Sequence, residues 1–273
     1  RAFVEFGAVQ RETVLRDVSR MAGEAVTRGG REAPRAYLIP PDGDPGRRAH
    51  LIGLLLTAGL EGFTAEEAIT GDGLSYPAGT VVFPAAQPLR QYLLEVMERQ
   101  HYPEIAPAPD AEILLPYDIT AWTMPLALGV GAVRVEGEVR GRLAPIGSQW
   151  VASDTRPIGE GNTLVVPAGQ LGGFAVANLA LAQGASVARM TGPAQVAGQD
   201  LAAGSFVIQG LEGAAQDRVL AGAGVTPLQT SASPSGAKPL RRAVLGVYHP
   251  NLGLEDAGWL RFVFANEPVG RIR

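Results

Sequence analysis

Apolar positions across residues 3–27 recur at helical spacing. Val14, Val18, Met21 and Ala25 share one stripe, with Arg11, Glu12, Arg16 and Asp17 elsewhere. The spacing predicts a helix that stops at Gly29 and Gly30. Ala36–Pro40 is a short apolar run followed by the turn cluster Pro41–Gly46, which predicts a buried strand. Residues 47–58 predict a helix ending at Gly59, Tyr76–Phe83 a second strand, and Leu89–Arg99 a second helix. A Pro-rich stretch, Tyr102–Pro116, predicts loop. In residues 131–157, Val133, Val135 and Val139 alternate with charged residues, which predicts a hairpin or a linker strand pair. Thr163–Pro167 is again a buried-strand run, Phe174–Gln183 a helix ending at Gly184, Ser205–Ile208 a strand and 212–221 a short helix. Ser231–Gly236 predicts a flexible turn, Ala243–Tyr248 a last strand, and 255–265 a last helix.

The chain repeats itself. Tyr37–Pro40 matches Leu164–Pro167, and Leu54–Gly59 matches Leu179–Gly184. Without a gap, Gly73, Ala78, Gly79 and Val82 match Gly198, Ala203, Gly204 and Val207. Each unit is a strand, a helix stopped by a C′ glycine, a loop, and a strand entered through an Ala-Gly turn. Residues 36–83 and 163–208 are therefore expected to share one strand–helix–strand topology. The fold class this predicts is α/β, with duplicated units forming mostly parallel sheet, flavodoxin-like or amidotransferase-like in style. The expected organisation is a bridging helix over 1–30, a first unit over 31–129, a second over 130–239, and the start of a third strand–helix unit over 240–273.

Composition narrows the functional classes. Of 273 residues, 46% are hydrophobic and 18% charged, enough to bury a core. Lys and Arg number 23 against 27 Asp and Glu, a net charge of −4. The arginines are isolated pairs, Arg47–Arg48 and Arg241–Arg242, or are scattered among acids, as Arg134, Arg140 and Arg142 are. Nucleic-acid binding needs a concentrated positive field to release counterions, and the sequence offers none. With no cysteine, disulfides, thiolate nucleophiles and Cys-ligated zinc are excluded. No stretch reaches the length of a membrane span, and no signal peptide is visible. A start at Arg1 rather than Met is read as a processed or truncated chain.

Candidate chemistry is sparse. His101–Glu104 spells H-x-x-E, a spacing that supplies two zinc ligands in carboxypeptidases. A third protein ligand is needed, and only His50, inside an apolar helix, and His249, before Pro250, remain as imidazoles. Pro103 also lies between the two, so no zinc binding is expected at His101 and Glu104. No G-x-S-x-G elbow is present: Ser148 follows Gly147, but Trp150 breaks the pattern. Gly129 and Gly131 are followed by Arg134 where a dinucleotide fingerprint needs glycine, and Gly172–Gly173 predicts a closely packed helix start. Glu66–Glu67 and Glu255–Asp256 are neighbours that point about 100° apart on a helix, which fits solvated faces or helix-start charges. His249 with Glu255 or Asp256 is the remaining polar constellation, and a strand-end turn before an acidic helix start accounts for it. No catalytic, cofactor-binding or metal residue is assigned.

Three stretches carry a resemblance. Pro116–Leu126, continuing through Gly129–Val130, resembles a signature of large bacterial zinc carboxypeptidase-like proteins. Tyr76–Pro88 resembles the segment preceding it in them. Leu245–Pro250, then Asp256–Trp259, resembles the start of their class I glutamine amidotransferase-like domain, although Asn251 and Ala257 depart from the usual Trp and acidic residue. Phe3–Arg20 resembles the helix that leaves the peptidase domain. The resemblance implies that zinc and the catalytic glutamate belong to a peptidase domain before Arg1, and that this segment holds no cofactor of its own. It also implies proteolysis as the parent's role and a secreted or periplasmic location. The expected function is then a non-catalytic accessory or scaffolding region whose partner is the upstream peptidase domain, with a peptide substrate as a further candidate and neither nucleic acid nor membrane. The alternative is a free-standing α/β module that binds a small molecule or peptide at the strand C-termini. An independent hydrolase would need a nucleophile and base that the sequence does not offer, and glutaminase chemistry would need a thiolate.

Overall fold

The computed structural model describes residues 2–100, 105–106, 108, 111–114, 123–147, 156–243 and 255–266, with only the backbone of the last three. Contacts divide the chain into two units, Arg1–Asp42 with His50–Trp150, and Gly43–Ala49 with Val151–Arg273.

The first unit contains, in chain order, α1 (Ala2–Gly29), β1 (Ala36–Ile39), all but the first turn of α2 (Pro45–Thr57), β2 (Gly62–Ala65), β3 (Ile69–Gly71), β4 (Leu74–Tyr76), β5 (Val81–Pro84), α3 (Arg90–Met97), α4 (Met124–Leu128), β6 (Val133–Val135) and β7 (Leu143–Ile146). Its main sheet has the order β6-β1-β5-β2-β7, and every neighbouring pair is antiparallel. Because β5 is antiparallel to both β1 and β2, those two strands run the same way but never touch. The helix crossover from β1 to β2 skips one strand position, and the chain returns through the β3–β4 hairpin to fill it with β5.

The second unit contains β8 (Ile158–Gly159), β9 (Thr163–Val166), α5 (Gly172–Ala182), β10 (Ser186–Met190), β11 (Ala194–Val196), β12 (Gln199–Leu201), β13 (Phe206–Gln209), α6 (Gly213–Leu220), β14 (Leu228–Thr230), β15 (Ala237–Pro239) and α7 (Glu255–Asn266). Its sheet order is β15-β10-β13-β9-β14-β8. Read from the other edge, the run β14-β9-β13-β10-β15 reproduces β6-β1-β5-β2-β7 strand for strand. The likeness thus extends well past the segments 36–83 and 163–208. Only β8, which lies parallel to β14, has no counterpart among the described strands of the first unit.

The expected parallel, flavodoxin-like sheet is corrected here. The first sheet is all antiparallel and the second mixed. The physical reason lies in burial. Strands buried on both faces become continuous apolar runs, which is the usual mark of a parallel sheet. In this fold the helices bury one face and the small hairpin buries the other. On β1, Tyr37 and Ile39 pack with Leu51, Ile52 and Leu55 of α2 and Leu93 of α3. The alternate residues Ala36 and Leu38 pack with Ile69 and Tyr76 of the hairpin. Leu164 and Val166 of β9 likewise join Val176 and Ala180 of α5, while Val165 joins Val196 and Leu201 of the second hairpin. This is the period-2 alternation of a strand, with both sides apolar. The stretch 131–157 is also corrected: β6 and β7 do not pair with each other but close opposite edges of the first sheet.

Local geometry repeats in detail. The hairpin turns place Asp72 and Gly73 at φ 49° and 79°, and Ala197 and Gly198 at 48° and 77°. Two successive left-handed residues twist the chain as a two-residue hairpin requires, which is why glycine stands second in both. The buried hydroxyls of Thr80 and Ser205 donate to the carbonyls of Pro77 (2.7 Å) and Ala202 (2.9 Å), pinning the turn that enters the central strand of each unit.

Candidate functional site

The most developed polar cluster joins three elements of the first unit. Tyr37 is an inward residue of β1 and is 2% exposed. Its hydroxyl donates to Glu98 Oε1 at 2.7 Å. Glu98 is the C-cap of α3 and has extended backbone. Arg134, opposite Tyr37 in the β1–β6 register, donates through Nε to the same Oε1 at 3.1 Å and also pairs with Glu136. The Glu98 carbonyl accepts the Thr123 hydroxyl at 2.8 Å, which ties residue 98 to the residue entering α4.

Burial of the Tyr37 phenol, followed by its hydrogen bond to Glu98, holds its pKa well above the ordinary value. The phenol is therefore a fixed donor at neutral pH, unsuited to act as a general base. Glu98 already accepts two donors on one oxygen. The arrangement is chemically suited to holding β1, α3 and β6 in register.

Asp72 makes a second tie. Its two carboxylate oxygens accept the backbone N–H groups of Glu136 (2.7 Å) and Gly137 (2.8 Å), joining the hairpin turn to the end of β6.

The residues singled out by sequence do not converge. His50 is exposed on α2. His101, Glu104, Ser148, Trp150 and His249 lie outside the described residues, as do Pro116–Trp122 and Leu245–Pro250, which carry much of the resemblance. Glu66 and Glu67 both lie 3.7 Å from Arg142 Nε, an exposed ion-pair group at the sheet edge. Glu255 and Asp256 occupy the first turn of α7, where acidic residues complement the helix dipole. Gly129 takes the left-handed conformation that stops α4. Gly172 and Gly173 open α5: a Cβ on Gly173 would meet Phe206 and Val166 at 3.1 Å, so the helix start is closely packed. Among the described residues, no group of three or more His, Cys, Asp or Glu could hold a metal ion, and no helix is long and apolar enough to cross a membrane. Sequence reasoning missed the Tyr37–Glu98–Arg134 cluster and the Asp72 tie. An Asp-Gly pair between Ile69 and Tyr76 was a hairpin signal for the latter.

The other conspicuous surface is α1. Gly29, its last residue, is pressed onto the backbone of Ala85, where a Cβ would sit 2.0 Å from the carbonyl oxygen. Toward the N-terminus the apolar stripe faces solvent: Val14 is 46% exposed, Leu15 68%, Val18 58% and Met21 62%. Ala25 is half-buried. The body of its own unit does not cover this stripe.

No known protein family, characterised protein or solved structure matches the chain.

Proposed function

We propose that this chain is a non-catalytic scaffolding region of a larger metallocarboxypeptidase-like protein, and that α1 is the arm through which it docks on the peptidase domain. The observation that carries the reading is the solvent-facing stripe of Val14, Leu15, Val18 and Met21 on a helix anchored at its other end. Covering such side chains is worth roughly 1.5–3 kcal/mol each when burial is complete. Where they stand, at 46–68% exposure, the same residues realise only part of that gain. An isolated helix of this kind is only marginally stable in water, so a covering surface would also order it. The resemblance of Phe3–Arg20 to the helix that leaves a peptidase domain names the covering partner.

The rival reading, a free-standing module with ligand held at the strand C-termini, relied on parallel strands whose ends gather on one side. In the first sheet every neighbouring pair is antiparallel and alternates its ends, which gives that reading less support than a parallel sheet would.

Two measurements test the proposal. Purified chain with added zinc should release no C-terminal residues from peptides, and chelator-sensitive release would overturn the non-catalytic reading. In hydrogen exchange, the amides of residues 14–25 should exchange rapidly in this chain and become protected when a zinc carboxypeptidase-like domain is joined before it. Equal exchange in both would remove the docking arm.

A further inference from the structure

We draw no further inference here: the strongest candidate, the aromatic face of the C-terminal helix α7 formed by Trp259 and Phe262 with Leu260 and Val263, is an exposed apolar surface with nothing in the structure to show what covers it.

Discussion

Where the first unit sets Tyr37 opposite Arg134, the second sets Leu164 opposite Gln229. The strands around these pairs correspond, as do their order, the hairpins and the turns that enter β5 and β13. Yet one copy places a phenol, a carboxylate and a guanidinium at this corner, while the other buries a leucine in an apolar cluster. The polar network is thus not a requirement of the fold. The shared elements are apolar packing on both sheet faces and left-handed turn residues. The cluster is an addition particular to the first unit, and it is built where the chain passes from α3 toward α4.

The largest effect should come from what the two units hold in common. Phe83 and Ile208 occupy equivalent sites on the central strands, each on the helix-covered face and essentially without exposure. Phe83→Ala should cost about 3–5 kcal/mol and Ile208→Ala about 2–5 kcal/mol, from lost transfer energy plus a cavity. Chemical denaturation would show both, and hydrogen exchange should place each loss in its own sheet. A central-strand truncation that left its unit's exchange unchanged would break the equivalence.

Next is the corner where the units differ. Tyr37→Phe removes one hydrogen bond to a carboxylate that is itself about a third exposed. A loss of about 1–2 kcal/mol is expected, at the low end for a bond to a charged group because water can replace part of it. A pH signature of the buried phenol accompanies this loss. The phenol's folded pKa lies above its ordinary value of 10.0, so the folded chain binds that proton more tightly than the unfolded chain does. The resulting stabilisation is fully present below pH 10.0 and is lost as pH rises from there toward the folded pKa. Stability of the parent should therefore decline above that point more steeply than stability of Tyr37→Phe. Parallel curves would show that burial and the bond to Glu98 do not raise the phenol's pKa.

Much of this architecture was legible in the sequence. The helices α1, α2, α3, α5 and α6 and the strands β1, β9 and β13 fall where periodicity and terminal glycines put them. What escaped has definite causes. Tyr76–Phe83 was one strand by composition, but Pro77–Thr80 forms a turn between β4 and β5. The short strands β11 (Ala-Gln-Val) and β12 (Gln-Asp-Leu) are triplets too short and too polar to stand out, held in place by packing Val196 and Leu201 onto the sheet. Strand direction was beyond reach, because Ala36–Ile39 and Thr163–Val166 are apolar on both faces whichever way their neighbours run. The polar corner joins residues 61 and 36 positions apart, a separation that no local pattern reveals.

The hairpin turns offer a finer test. Asp72 and Ala197 adopt nearly the same left-handed conformation, but only Asp72 ties its turn to a neighbouring strand end. Asp72→Ala should cost about 1 kcal/mol, since the two bonds are exposed, and should speed exchange of the Glu136 and Gly137 amides. Ala197→Asp should change stability by no more than about 0.5 kcal/mol, because Asp tolerates this conformation at least as well as Ala. Equal losses at both positions would mean that the turn conformation matters and the tie does not.

The smallest effect on the chain itself is expected at α1, and its smallness is informative. Val18 is 58% exposed in the middle of the stripe, whereas the buried valines of β5 and β9 are 0–1% exposed. Replacing a buried valine with glutamate would strand a charge in an apolar core. At Val18 the new carboxylate would stay in water, and glutamate is a better helix former than valine. Val18→Glu should thus leave the denaturation midpoint within about 0.5 kcal/mol of the parent. If α1 is a docking arm, the same substitution must remove the protection of residues 14–25 that a joined peptidase-type domain confers, because burying an unpaired carboxylate against an apolar surface is unfavourable. Unchanged stability with lost protection is the outcome the proposal requires. A large loss of stability in the chain alone would show that the stripe is already covered, and retained protection would show that docking, if it occurs, uses another face.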